Sequence, residues 1–289
     1  DLLHVHYAIP HASAAIIARN ILAEEGIHLP VVTTLHGTDI TLLGKDPAFK
    51  PVIAYAINQS DAVTAVSDSL KCDTEALFDV HQTINVVHNF ICPTHFDRPI
   101  DQQFRLAVAP NGEKIVTHIS NFRPVKRVED VLRIFARIQE RIPAKLLLVG
   151  DGPDRSRVEN LAEEIGIRSH VISIGKIKNP IEPLLVSDLF LLPSETESFG
   201  LAALEALAAE VPVIASHAGG LPEVIHHGSC GYLAPVGDVE AMAHFALDIL
   251  DSPENHRNFK KAARKRAWDF HVSAVIPQYE AIYEDLTSE

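Results

Sequence analysis

Strand-patterned and helix-patterned stretches take turns along this whole chain, and that alternation limits what it can fold into. Short apolar runs at residues 2–6, 31–35, 62–66 and 84–87 read as buried strands. Helix-length segments lie between them. One spans 10–25, with Pro10 at its start and Gly26 past its end, a second spans 48–59, and a third spans 68–78 behind the cap Ser67. The pattern fades over residues 89–112, which hold Pro93, Pro99 and Pro110, so a linker is expected there. A second alternating set begins at Lys114. Its expected strands are 115–119, 145–149, 171–174, 189–192 and 211–215. Its expected helices are 128–142, 154–165, 181–185, 199–209, 221–226, 239–251, 253–270 and 273–285. The helix over 128–142 shows the helical period in Val128, Val131, Leu132, Phe135 and Ile138. Repeated β-α units imply parallel sheets covered by helices on both faces. Two such sets predict an α/β protein with two Rossmann-like domains facing a cleft.

Composition excludes several functions. A net charge of −13 opposes non-specific nucleic-acid binding and docking on an anionic membrane. No apolar run is long enough to span a bilayer. Cys72, Cys92 and Cys230 are odd in number and widely spaced, which fits a reducing cytoplasm better than a disulfide framework. The sixteen histidines are scattered without metal-ligand spacing, so no metal is expected. A G-x-G-x-x-G fingerprint is absent, which argues against a nicotinamide or flavin, and no cofactor is expected. The first residues already read as a core strand without an initiating Met, so a true N-terminus upstream is expected.

Four strand ends carry chemistry. The richest follows residues 189–192, where a polar loop with Glu195 and Glu197 leads through Phe199-Gly200 into an Ala/Leu-rich helix containing Glu205. Strand ends beside helix N-termini are where open α/β sheets bind anionic ligands. Glu205 has apolar neighbours throughout, and burying such a carboxylate is costly unless it is hydrogen-bonded. Ribose hydroxyls would suit it, and a solvated surface position is the alternative. The second end is Ser120 to Arg127, with Arg123, Lys126 and Arg127 as an anion site or a basic turn. The third is Gly150-Asp151-Gly152, whose glycines permit close backbone approach to a ligand; Gly219-Gly220 is similar. The fourth is Thr33 to Asp39. His36 and Asp39 there resemble a hydrolytic pair, but no G-x-S-x-G elbow or reactive cysteine accompanies them, which favours a hydrogen-bonding histidine. His4 and His6 alternate on one strand ahead of Tyr7, and packing is their simpler reading.

Together these residues resemble retaining glycosyltransferases of family 4, which have the GT-B fold. The family's E-x7-E pattern matches Glu197 to Glu205, within its usual P-S…F-G…L-E-A setting. The G-D-G-P at Gly150 and the Gly219-Gly220 turn before Glu223 also match. The stretches His4 to Ala12, Thr33 to Asp39, Thr64 to Leu70 and His88 to Phe90 resemble the branch that moves N-acetylglucosamine from UDP-GlcNAc to L-malate, opening bacillithiol biosynthesis.

The resemblance implies a partial N-terminal acceptor-side domain over 1–100 and a nucleotide-sugar domain over 101–272. It also implies a C-terminal helix, 273–289, crossing back to the first domain. Arg123, Lys126, Glu197 and His36 take the catalytic roles. Glu205, Phe199, Gly200, Leu201, Gly150 and Ile177 bind the donor, and Tyr7, Thr33, Thr34 and Asn121 bind the acceptor. The implied mechanism is front-face displacement without a metal. UDP-GlcNAc and L-malate are the implied partners, with homo-oligomerisation left open. The chain departs from the family in two ways. Family members carry Arg five residues before Lys, where this chain has Asn121 before Lys126. They also begin with a strand and a Gly-rich loop, so about one quarter of a full-length protein is expected to be missing here. A lipid- or polysaccharide-directed relative and a non-catalytic UDP-sugar-binding module are the alternatives.

Overall fold

A computed structural model describes residues 1–288, which form two compact units: 1–90 with 272–288, and Ile91–His271. In the first unit the order is β1 (Leu3–His6), α1 (Ser13–Glu24), β2 (Val31–Leu35), α2 (Lys50–Asn58), β3 (Ala62–Ala65), α3 (Asp68–Leu77) and β4 (Ile84–Val86). All four strands are parallel and pair in sequence order. Ser67 caps α3, accepting from the Leu70 amide at 3.0 Å. The helix expected from Pro10 starts only at Ser13, because Ile9 is extended and interrupts the turn over Ala8–Ala12.

In the second unit, α4 (Gln102–Val108) lies inside the stretch expected to be a linker. It is too short for periodicity to reveal, yet Asp101 caps it by accepting from the Gln103 and Phe104 amides. There follow β5 (Lys114–Ser120), α5 (Val128–Gln139), β6 (Ala144–Gly150), α6 (Arg155–Glu164), β7 (Val171–Gly175), α7 (Ile181–Leu185) and β8 (Leu189–Leu192). Then come α8 (Leu201–Ala208), β9 (Val213–Ser216), α9 (Leu221–Val224), β10 (Gly231–Ala234), α10 (Val239–Leu250) and α11 (Pro253–Trp268). The strand β10 was not expected from the sequence: Gly231 opens it, and only four residues pair. That glycine is required, since a Cβ there would meet the Val213 carbonyl oxygen at 2.1 Å. The five apolar positions anticipated on α5 are all buried, in one core with Leu146, Leu148, Leu189 and Leu191. That burial is what holds α5 against the sheet.

The second sheet is parallel, in the order β10-β9-β8-β5-β6-β7. The chain runs outward from β5 in one direction through β6 and β7. It then returns to the other side of β5 with β8. The switch point therefore falls between β5 and β8, where doubly wound sheets bind ligands at the strands' carboxyl ends. The last helix, α12 (Val272–Thr287), belongs to the first unit, where Val275 and Tyr279 pack with Val87.

Candidate active site

The loops leaving β5 and β8 emerge side by side at the switch point, and they carry the basic cluster and the first glutamate of the E-x7-E pattern. Two contacts join them. The Glu195 amide donates to the Val125 carbonyl at 2.8 Å, and Lys126 Nζ donates to Glu197 Oε1 at 2.6 Å. Both side chains are largely buried, Lys126 at 21% and Glu197 at 13% exposure. Ser194 Oγ donates to the same Glu197 oxygen at 2.8 Å.

Close backbone packing sets the shape of both loops. In the β5 loop Phe122 takes a positive φ of 37° while its ring enters the core. Its carbonyl accepts from the Asp154 amide at 3.0 Å. A Cβ on Gly150 would sit 1.8 Å from the Ser120 carbonyl oxygen, and one on Gly152 would sit 2.0 Å from that of Asn121. The close approach expected toward a ligand at Gly150 is thus an approach to the neighbouring loop. Gly219 serves the β8 loop in the same way. Its missing Cβ would meet the Glu197 carbonyl oxygen at 2.0 Å, and the next amide, Gly220, donates to that oxygen at 2.8 Å.

Beneath the β5 loop lies His118, wholly buried. Its Nδ1 contacts the Leu191 carbonyl at 2.9 Å, so Nδ1 carries the proton, and Nε2 accepts from Ser120 Oγ at 2.8 Å. Burial pushes the imidazole down to about 4, opposed by the Leu191 bond and assisted by the charge of Lys126. No sequence pattern marked His118, because a histidine inside a strand reads as packing.

The three cations of the basic cluster separate into different environments. Arg127, with φ of 48°, pairs with Asp130 at 2.6 Å and braces the start of α5. Lys126 pairs with Glu197. Arg123 is exposed and forms no ion pair among the described residues. Asn121 is also exposed, at the tip of the same loop. Glu205 sits half-buried on α8, makes no side-chain hydrogen bond among the described residues, and has its carboxyl raised by burial. Phe199 packs edge-on against Phe270 in the core, so only its backbone is available to a ligand. Gly200, at φ 101°, turns the chain into α8, and Leu201 opens that helix half-exposed. Ile177 lies in an exposed turn beyond β7, two strands from the switch point.

In the first unit the ends of β1 and β2 meet through Asp39. Its buried carboxylate accepts from the Ala8 amide at 2.6 Å and from the Gly37 amide at 3.3 Å. Asp39 therefore orders two loops and does not form a pair with His36. Burial raises its pKa, and the backbone donors oppose that rise. His36 Nε2 instead lies 2.8 Å from His6 Nδ1, and its ring centroid is 5.0 Å from that of Tyr7. Burial, then the neighbouring His6 and His4, hold His36 down to about 4.

Thr33 and Thr34, expected at the acceptor, are both 0% exposed. Thr33 Oγ1 bonds Ser60 Oγ at 2.8 Å. Thr34 Oγ1 bonds His4 Nε2 at 2.8 Å and Thr64 Oγ1 at 2.7 Å. Their hydroxyls are committed within the sheet and offer nothing to an acceptor. His4 completes that chain through Tyr283 Oη at 2.6 Å, which makes it a structural residue.

Two parallel-sheet Rossmann-like units with this strand order define a GT-B glycosyltransferase fold. Solved structures of similar form include sucrose-phosphate synthase from Thermosynechococcus elongatus, with a TM-score of 0.83 at 24% identity over 99% of this chain and 74% of that one. Another is Anabaena HepE in complex with UDP and glucose, with a TM-score of 0.82 at 20% identity over 96% and 75%. The profile "Glycosyl transferases group 1" matches residues 100–266, and "Glycosyltransferase Family 4" matches residues 1–95. The chain belongs to glycosyltransferase family 4. One relative is the N-acetyl-alpha-D-glucosaminyl L-malate synthase of Bacillus anthracis, 47% identical over 99% of this chain and 75% of that protein. Another is the D-inositol 3-phosphate glycosyltransferase of Mycobacterium avium, 28% identical over 100% and 71%. Among the described residues, no helix is long and apolar enough to cross a membrane.

Proposed function

We propose that this chain carries out the retaining transfer of N-acetylglucosamine from UDP-GlcNAc to L-malate, the first step of bacillithiol biosynthesis, in the cytoplasm. The observation that carries this reading is the 47% identity, over nearly the whole chain, to a relative named for that product. The reading carries a division of labour among the residues. Glu205, half-buried and without a hydrogen-bond partner among the described residues, accepts hydrogen bonds from the ribose hydroxyls of UDP. The first-turn amides of α8, from Phe199 through Leu201, face the phosphates. Arg123 and Lys126 stabilise the charge that grows on the β-phosphate as it leaves. Glu197 holds a hydroxyl of the transferred sugar, and His36 is a further contact to the sugar. Ile177 serves the nucleotide end.

Tyr7 and Asn121 take the malate, with Arg123 shared between acceptor carboxylate and donor phosphate. The malate hydroxyl attacks from the face the phosphate leaves, and the departing phosphate oxygen takes its proton. With cations in that role, leaving-group stabilisation requires no metal.

The test is product analysis of the intact protein with UDP-GlcNAc and a panel of hydroxy acids. A malate glycoside that keeps the donor's anomeric configuration supports the reading. UDP release that does not depend on malate removes the acceptor assignment.

A further inference from the structure

We propose that Ser194 is a positioning residue that keeps Glu197 in place while Lys126 changes partners during donor binding. This rests on the reading of Glu197 as the contact to the donor sugar. One oxygen of Glu197, Oε1, receives both Lys126 Nζ at 2.6 Å and Ser194 Oγ at 2.8 Å. The other oxygen, Oε2, has no protein hydrogen bond among the described residues and is the one open to a ligand hydroxyl. Such double loading of a single oxygen fixes the carboxylate's rotation as well as its place.

The two donors differ in what a nucleoside diphosphate does to them. An ammonium with three protons can transfer to phosphate oxygens, which carry more charge than a carboxylate. A hydroxyl has a single proton and little affinity for a distant phosphate. Ser194 is fully buried and cannot follow a ligand. When Lys126 turns to the diphosphate, Ser194 remains as the donor holding the Glu197 side chain. The Glu197 backbone is fixed separately, through its carbonyl and the Gly220 amide, so the serine governs only the side-chain rotamer. Without Ser194, a carboxylate 13% exposed would lose its remaining donor and swing toward water. That motion withdraws the contact to the sugar and leaves the nucleotide contacts alone.

The distinguishing readout is affinity for UDP against affinity for UDP-GlcNAc, measured by calorimetry on the intact protein with Ser194→Ala. UDP should bind within about twofold of normal, whereas UDP-GlcNAc should weaken by about tenfold, the scale of one hydrogen bond to a charged group. In a Glu197→Ala background the same serine substitution should have no further effect, because its target is gone. Ser194→Cys keeps a similar shape with a weak donor and should show the same pattern at smaller size, which covers a failure of the alanine variant to fold. Equal weakening of UDP and UDP-GlcNAc, no weakening at all, or the same loss in both backgrounds would overturn the proposal and leave the reading of Glu197 standing. Unchanged UDP-GlcNAc affinity in Glu197→Ala alone would remove that reading and this inference together.

Discussion

The two units treat the polar groups at their strand ends in opposite ways. In the first unit these groups satisfy one another: Thr33 with Ser60, Thr34 with His4 and Thr64, His6 with His36, and Asp39 with two backbone amides. In the second unit several remain unsatisfied. Among the described residues, Arg123 has no ion pair, Glu205 has no side-chain hydrogen bond, and Glu197 keeps one oxygen free. Buried polar groups that satisfy one another build a rigid scaffold. Polar groups left open at a switch point, at a cost in burial, are where a ligand completes the bonding. This contrast is the ground for proposing that the second unit holds the donor. The first unit keeps Tyr7 and His36 half-buried on a self-satisfied frame.

The largest expected effect attacks the open side of this contrast. Lys126→Ala should lower kcat/KM by about two or more orders of magnitude, as is usual when a group stabilising developing charge is removed. Steady-state kinetics on the intact protein check it, and near-normal turnover would break the assignment.

The next effect concerns the scaffold beneath that site. His118 ordinarily titrates near 6.5 and is held to about 4 in the fold. Its folded pKa is lowered, so the unfolded chain binds more protons between those values. The stability it contributes is complete above about 6.5 and is lost as pH falls toward about 4. The loss amounts to about 3 kcal/mol. Melting temperatures across that range should fall more steeply for the natural protein than for His118→Asn. Parallel curves would show that the buried imidazole does not govern the acid sensitivity.

The smallest effect tests the satisfied side. Thr34→Val removes a committed hydroxyl and should cost about 1–2 kcal/mol of stability, while the KM for malate stays unchanged. Tyr7→Phe, at a half-buried position beyond β1, should raise that KM without comparable destabilisation. A raised malate KM in the valine variant would return Thr34 to the acceptor site.

Much of the second unit was legible before its structure. The period of Val128 to Ile138 placed α5, and the polar loop with Glu197 leaves a strand, β8, and leads into a helix, α8, that carries Glu205, as the residue pattern implied. What stayed hidden depended on long-range pairing. Nothing local shows that Gly150 makes room for the Ser120 carbonyl or that Lys126 reaches Glu197. The same holds for β10, which exists only because β9 lies beside it. In the first unit, Thr33 and Thr34 looked available because they end a strand, while the groups that satisfy them, Ser60, Thr64 and His4, come from other strand ends and strands. The helix α4 was missed because one capping aspartate and seven residues are too little signal against three prolines.

The claim at the centre of this account is that open polar groups in the second unit hold the nucleotide. Calorimetric titration of UDP into the intact protein, into Glu205→Ala and into Thr34→Val tests it most directly. The account predicts that UDP binds the natural protein and Thr34→Val alike, and binds Glu205→Ala about tenfold or more weakly, as expected for a lost hydrogen bond to a charged group. Equal UDP affinity in Glu205→Ala, or a loss confined to Thr34→Val, would contradict it.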